Sequence, residues 1–193
     1  MSLNVHATVS NKVIAGTIAN SCFEQGEIIT TGRALDLGIG GEGWIPLQEK
    51  TGILVFTRQG SFGMNKDGDL MHLASELPVI TFDAEGRKQK INLSQFASKP
   101  LSNGKLVAMF FTEVGSLEAL YSDGKTSQIA NLMLAAFENQ RKLKLIDPKT
   151  HIFSAPKSVG EIAFGAAETA PFGKIFDRAL ELVPVDRYKK LCN

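Results

Sequence analysis

Gly38-Ile39-Gly40-Gly41-Glu42-Gly43 has the G-x-G-x-x-G spacing with which a glycine-rich turn cradles a dinucleotide pyrophosphate. That chemistry needs a helix to begin inside the motif, so that its first amides face the phosphate oxygens. Here the motif runs into Trp44-Ile45-Pro46-Leu47, a Lys50-Thr51-Gly52 turn and the apolar run Ile53-Leu54-Val55-Phe56-Thr57. This is strand, turn, strand, and Pro46 lacks the backbone donor that a helix would need there. The dinucleotide reading fails for want of its structural context, and no cofactor is expected.

Other chemistry is as thinly supported. Asn65-x-Asp67-Gly68-Asp69 has part of a calcium loop, but the bidentate Glu due six positions after the glycine is replaced by Ala74. His6, His72 and His151 lie far apart, none with a second ligand at metal spacing, so no metal is expected. Cys22 has no neighbouring His or basic cluster to favour its thiolate, and no G-x-S-x-G elbow occurs. Asp36 and Glu42 form a conceivable carboxylate pair. The plainer role for Asp36 is to bond backbone in a tight corner. Trp44, the only tryptophan, is expected to pack in the core or against a neighbouring subunit. No active site emerges, and the chain reads as a non-enzyme.

Composition agrees with an ordinary globular protein. The 193 residues are 44% apolar and 21% charged, with 21 bases, 20 acids and a net charge of +1. Length alone allows one or two domains, and one is the plainer expectation. The basic clusters, Arg141-Lys142-Leu143-Lys144 and Arg187-Tyr188-Lys189-Lys190, read as a solvated turn and a frayed end, so nucleic acid is not an expected partner. Cys22 and Cys192 are too few and too far apart for a disulfide framework; a buried Cys22 and a free Cys192 are expected. No run of about eighteen apolar residues marks a membrane helix, and no secretory signal pattern opens the chain.

The elements that would position these residues are strands. Val5 to Ala15 and Ile18 to Phe23 read as extended. Leu35, Leu37 and Ile39 alternate on one face of a strand, with Asp36 on the other. Asn65-Lys66-Asp67-Gly68 is a turn by composition. Pro78 to Phe82 and Lys90 to Leu93 form a hairpin about a polar turn, and Asn103-Gly104 suits a type I′ turn before a strand over Leu106 to Phe111. Asp123-Gly124 makes another turn. Ser127 to Glu138 is ambiguous: Ile129, Leu132, Met133 and Ala136 fit a helical face. Gly160 to Pro171 reads as a small-residue loop, Lys174 to Val183 as the last strand, and Asp186 to Cys192 as the start of a helix.

Several pieces occur together in one order. They are Thr31-Gly32-Arg33-Ala34-Leu35-Asp36, Gly43-Trp44, Phe56-Thr57-Arg58-Gln59-Gly60-Ser61-Phe62 and the Asn65 to Leu70 turn. Downstream come Leu120-Tyr121-Ser122-Asp123-Gly124-Lys125-Thr126, then Ile129 to Asn139 including Phe137, and Phe172-Gly173-Lys174-Ile175 with Ala179-Leu180-Glu181. In order and spacing this resembles the axial proteins of the bacterial flagellum, the rod and hook proteins, over roughly 20–75 and 117–183. The Tyr-Ser-Asp-Gly-Lys turn and the Phe-Gly-Lys-Ile run are more like the hook protein.

The resemblance implies a mainly β fold: an antiparallel, β-rich flagellar hook and basal-body core domain with many hairpins and little helix. It implies a single core domain over 1–193, built from about 4–80 and 117–183, with a short hairpin insert at about 81–116. It makes Ser127 to Glu138 strand. The motif residues Thr31, Gly32, Leu35, Asp36, Gly43, Trp44, Thr57, Arg58, Gly60, Phe62, Tyr121, Gly124, Phe137, Asn139, Gly173, Leu180 and Glu181 would be structural. The implied function is a hook subunit that self-assembles into the axial tube coupling motor rotation to the filament. The implied partners are copies of itself, neighbouring axial proteins and a hook cap protein. The implied location is the flagellum, reached by flagellar export without a cleaved signal peptide. The family's long terminal helices have no counterpart at either end, so the chain is an excised core or a diverged member. Met1-Ser2-Leu3 suits an expression-vector start and favours excision, and the isolated chain would then be monomeric. Three other readings stand beside the hook: a rod protein, which the short insert favours; a β-domain binding carbohydrate or peptide, which would need outward-facing Phe62, Phe82, Phe96, Phe110 and Phe111; and an enzyme with a site scattered over loops.

Overall fold

Turns come every few residues, and the segments between them are long enough only for short strands. Gly52 and Gly124, at φ 85° and 80°, occupy the left-handed region that side chains other than glycine rarely adopt, and each reverses the chain between paired strands. The computed structural model describes residues 25–94, 96 and 104–182. The sequence-based expectations for Val5 to Ala15, Ile18 to Phe23 and Asp186 to Cys192, and those for His6, Cys22, Cys192 and Asn103, lie outside the described residues.

In chain order the strands are β1 (Glu27–Thr30), β2 (Asp36–Gly40), β3 (Ile45–Gln48), β4 (Leu54–Thr57), β5 (Gly60–Met64), β6 (Leu70–His72), β7 (Leu77–Pro78), β8 (Ile80–Phe82) and β9 (Lys88–Lys90). Then follow β10 (Leu106–Phe111), β11 (Ser116–Tyr121), β12 (Thr126–Asn131) and β13 (Met133–Phe137). A 3-10 turn, η1 (Gln140–Lys142), leads to β14 (Lys144–Asp147) and β15 (Ile152–Ser154). A second, η2 (Lys157–Val159), leads to β16 (Ile162–Ala166), β17 (Lys174–Asp177) and β18 (Ala179–Leu182). The fold is mainly β, with no helix of seven residues or more among the described residues.

Every strand pairing is antiparallel. A five-stranded sheet runs β17-β2-β5-β6-β7 and a four-stranded one β14-β15-β4-β3; β10-β11-β12 is a meander, and β1-β18, β13-β16 and β8-β9 are pairs. The hairpins are local, but β1 with β18 and β2 with β17 join the two halves of the chain. One apolar cluster gathers Leu37, Ile39, Leu47, Phe62, Leu117, Leu134 and Ile175. A second gathers Trp44, Phe56, Ala135 and Phe153. Fully burying each large apolar side chain contributes roughly 1.5–3 kcal/mol.

Ser127 to Glu138 is strand, as β12 and β13, despite its helix-forming composition. Two expectations are corrected. Gly160 to Pro171 is not wholly loop: β16 crosses it, with Ala163 opposite Ala136 and Gly165 opposite Leu134. Its small residues fit because Phe172 covers Gly165 so closely that a Cβ would collide with the ring. The last strand expected from Lys174 onward is, as far as Leu182, two strands, broken at Arg178, whose φ of 51° turns β17 into β18.

Candidate functional site

The described residues that converge most closely do so around Arg58, at the corner between β4 and β5. Its guanidinium carries five N–H donors, and the structure gives each an acceptor. Nε donates to Glu181 Oε2 at 2.7 Å. Nη1 donates to the carbonyls of Gly41 at 2.9 Å and Gly43 at 2.8 Å. Nη2 donates to the Ile39 carbonyl at 2.9 Å and to Gln25 Oε1 at 3.2 Å. Glu181 in turn accepts the Gly26 amide on Oε1 at 2.7 Å. The side chains of Arg58 and Glu181 are 13% and 1% exposed. A buried pair of this kind is tolerable only when its remaining donors and lone pairs are satisfied, and here they are.

The glycine-rich segment therefore does bind a cation through its backbone, but the cation is the chain's own arginine. Three of its carbonyls face the guanidinium, and its Gly41 amide donates to Gln25 Oε1 at 2.8 Å. Gly43, at φ 146°, has no room for a Cβ, which would come within 2.7 Å of Leu134 Cδ1. No helix begins at the motif, consistent with rejection of the dinucleotide reading.

Asp36 anchors a second corner. Its carboxylate accepts the Thr31 hydroxyl at 2.8 Å and the Ser61 hydroxyl at 3.1 Å, with Arg33 Nη1 at 3.4 Å. The sequence suggested that Asp36 bonds backbone; in the structure its recorded partners are side chains, because β2 is buried on both faces and brings β5 against it. Gly32, at φ 77°, lets the chain turn between Thr31 and Asp36. Leu35 packs against the core at its margin, and Phe62 is fully buried. Gly60 and Gly173 are places of close backbone approach: a Cβ would strike the Leu37 carbonyl at one and the Gly40 carbonyl at the other.

Trp44 centres a third cluster. Its ring meets Phe153 edge-on at 5.0 Å and Phe137 at 6.2 Å, and Phe56 meets Phe137 at 4.8 Å. Its Nε1 donates to Gln140 Oε1 at 3.3 Å, and its backbone bridges Ala135. Thr57 is buried and its hydroxyl accepts the Gln59 amide at 3.0 Å. Asn139 donates its amide to the Val159 carbonyl at 2.9 Å, tying η1 to η2. Leu180 pairs with Ile29 in the β1-β18 ladder. Tyr121 and Gly124 stand apart from these clusters, at the β11-β12 turn, with Tyr121 buried.

The structure thus joins Gly43, Arg58 and Glu181 in one polar network, Thr31 and Asp36 in another, and Trp44 and Phe137 in an aromatic one. Gln25, Ser61 and Gln140 complete these networks. None stands out in the sequence, since each acts through contacts with residues far along the chain.

Features with chemical potential elsewhere do not assemble. Among the described residues no three His, Cys, Asp or Glu side chains stand together as a metal site. His72 is buried with Nδ1 2.7 Å from the Ser75 hydroxyl and no hydrogen-bond partner for Nε2. Burial, and then the nearby His151, push its pKa down to about 4. A cleft of about 550 Å³ lies between the β8-β9 hairpin and β12, lined by Thr81, Phe82, Gln89 and Gln128 among others. Of the phenylalanines that an aromatic binding face would need, Phe62, Phe96 and Phe111 are buried, and Phe82 and Phe110 are half-buried.

No protein-family model matches the chain. It is 26% identical over 168 residues to the flagellar basal-body rod protein FlgG of Agrobacterium fabrum, covering 86% of this chain and 56% of that protein. It is 31% identical over 108 residues to the flagellar hook protein FlgE of Escherichia coli, covering 56% of this chain and 26% of that one. It is 29% identical over 116 residues to FlgG of Buchnera aphidicola, covering 53% and 45%. The chain spans about half the length of the first of these relatives and less of the others.

Proposed function

We propose, from the premise that the chain belongs to the flagellar axial (rod and hook) protein family, that it is a structural subunit of the flagellar rod. An axial structural role is the coarser statement that the rod and hook relatives support. The match to a rod protein runs over 86% of the chain against 56% for the hook protein, and this favours the rod. The hook is the second reading, favoured by the Tyr121 to Lys125 turn.

The observation that carries a structural role is the saturation of Arg58. A catalytic or ligand-binding arginine keeps donors for its ligand. All five here are spent on the chain's own backbone and side chains, and they hold together residues from both stretches that resemble the family. Such a body acts by being rigid and by touching its neighbours. Subunits repeated head-to-tail build an open tube when their contacts do not close, and copies of itself and adjacent axial proteins are the partners this reading requires. Electron microscopy of basal bodies from cells lacking the gene tests it. Shortened rods are the expected result, complete rods without hooks transfer the protein to the hook, and normal flagella overturn the axial role.

A further inference from the structure

The charge of this chain is unevenly placed. Residues 140–160 hold five bases, Arg141, Lys142, Lys144, Lys149 and Lys157, against Asp147 alone. That is +4 in a chain of +1, which leaves −3 for the remainder. The fold concentrates the bases further. The η1 and η2 turns lie against each other, and Lys144 begins β14 opposite Ser154, so Arg141, Lys142, Lys144 and Lys157 share one end of the four-stranded sheet. All four are exposed, and the ion pairs among the described residues are made by other side chains.

Next to this basic end lies the β13-β16 pair, whose strands carry no charge themselves but are flanked by carboxylates at both ends. Glu138 and Glu161 sit at its near end, where the Glu138 amide donates to the Glu161 carbonyl at 3.1 Å and the Glu161 amide donates to Glu138 Oε2 at 3.2 Å. Glu168 sits beyond the far end of β16, its amide donating to the Gly173 carbonyl at 3.0 Å. These three carboxylates are exposed and form no ion pair among the described residues. Two opposite patches side by side, neither neutralised by the other, are what a repeated contact between copies uses. Like charges clustered on one surface repel, and a complementary surface relieves that repulsion and fixes register.

We propose that the basic end formed by Arg141, Lys142, Lys144 and Lys157 docks on the carboxylates that flank the β13-β16 pair of a second copy of this chain, those of Glu138, Glu161 and Glu168. This rests on the axial reading above, and it names the face through which one subunit meets the next. The contact is electrostatic and shallow, so it is weak between free chains and is reinforced by repetition.

The test mixes nitrogen-14 and nitrogen-15 chains at high concentration and treats them with a carbodiimide, which joins a lysine amine to a carboxylate it touches. Mixed-isotope links from Lys142, Lys144 or Lys157 to Glu138, Glu161 or Glu168 are expected. Their yield should fall roughly tenfold when salt is raised from 0.1 M to 1 M and the Debye length contracts from about 10 Å to about 3 Å. R141E/K142E/K157E chains alone, and E161K/E168K chains alone, should give none, while their equimolar mixture restores the links. Same-isotope links only, links that ignore salt, or failure of the mixture to restore them overturn the proposal. Should a variant fail to fold, the salt series on the unaltered chain still decides. In cells lacking the gene, full restoration of axial structures by R141E/K142E/K157E chains overturns the docking and leaves the axial role. Normal flagella without the gene overturn the axial role itself.

Discussion

The Arg58 network and the Trp44 cluster both hold together segments far apart in sequence, and they do so by opposite physics. Arg58 reaches Glu181, 123 residues away, through charge-assisted hydrogen bonds with fixed partners. Trp44 reaches Phe137 and Phe153 through edge-on ring contacts in an apolar pocket. A hydrogen-bonded joint works only when complete, because losing one member leaves the others buried and unpaired. An aromatic joint yields by degrees, because a smaller ring still fills part of the space. The first therefore specifies one arrangement, and the second supplies cohesion.

Substitution can break this comparison. The largest effect expected is for Arg58→Ala, which leaves Glu181 charged and buried and takes a donor from three carbonyls, of which that of Ile39 keeps Gln25 Nε2. It should cost about 3–5 kcal/mol in chemical denaturation. Replacing both partners, as R58M/E181L, should cost less than R58A alone; a double variant as unstable as the sum of the singles would show that the two do not act as a unit. Trp44→Ala should cost about 3–4 kcal/mol, and Trp44→Phe distinctly less, and that gradation is what separates an apolar joint from a polar one.

Acid sharpens the contrast from the apolar side. His72 packs its ring against Phe62 at 6.1 Å, and burial followed by the nearby His151 lowers its pKa from 6.5 to about 4. As pH falls below 6.5 the unfolded chain takes up a proton that the folded chain refuses. The stabilisation is full above pH 6.5, declines between 6.5 and about 4, and declines no further below that. The loss amounts to up to about 3 kcal/mol. A pH series of unfolding midpoints should show this slope, and His72→Gln should flatten it. The smallest effect expected is for Gly124→Ala, about 1 kcal/mol by thermal melting, because Gly124 sits at φ 80° with open space around it and only the backbone is strained.

Turns and most strands were legible in the chain because their causes are local. Asp123-Gly124 and Lys50-Thr51-Gly52 state their own geometry, and Ile53 to Thr57 announces its strand. β16 was not legible: Ala163, Gly165 and Ala166 have no strand preference of their own, and the element exists because β13 is there to pair with it. The break at Arg178 gave no signal either, since arginine is not a residue that ordinarily marks a left-handed turn. Ser127 to Glu138 shows the opposite failure. Its helical composition lost to strand pairing, and only the family resemblance pointed the right way. The motif residues could be picked out as a set, but not their roles. Nothing local in Thr57-Arg58-Gln59 says that the guanidinium will close on Glu181.

The β1-β18 ladder has a mechanical consequence. Its register sets Glu27 beside Leu182, so the first and last described strands meet at one gate. Two strands pulled apart at such a gate peel rung by rung and resist little, whereas two strands drawn the same way drag the whole body behind them. The Gly26–Glu181–Arg58 bonds sit at the outermost rung. They act as a rivet there: a tear must start by breaking a buried charge pair, and a load applied along both strands passes into the sheets without loosening the seam.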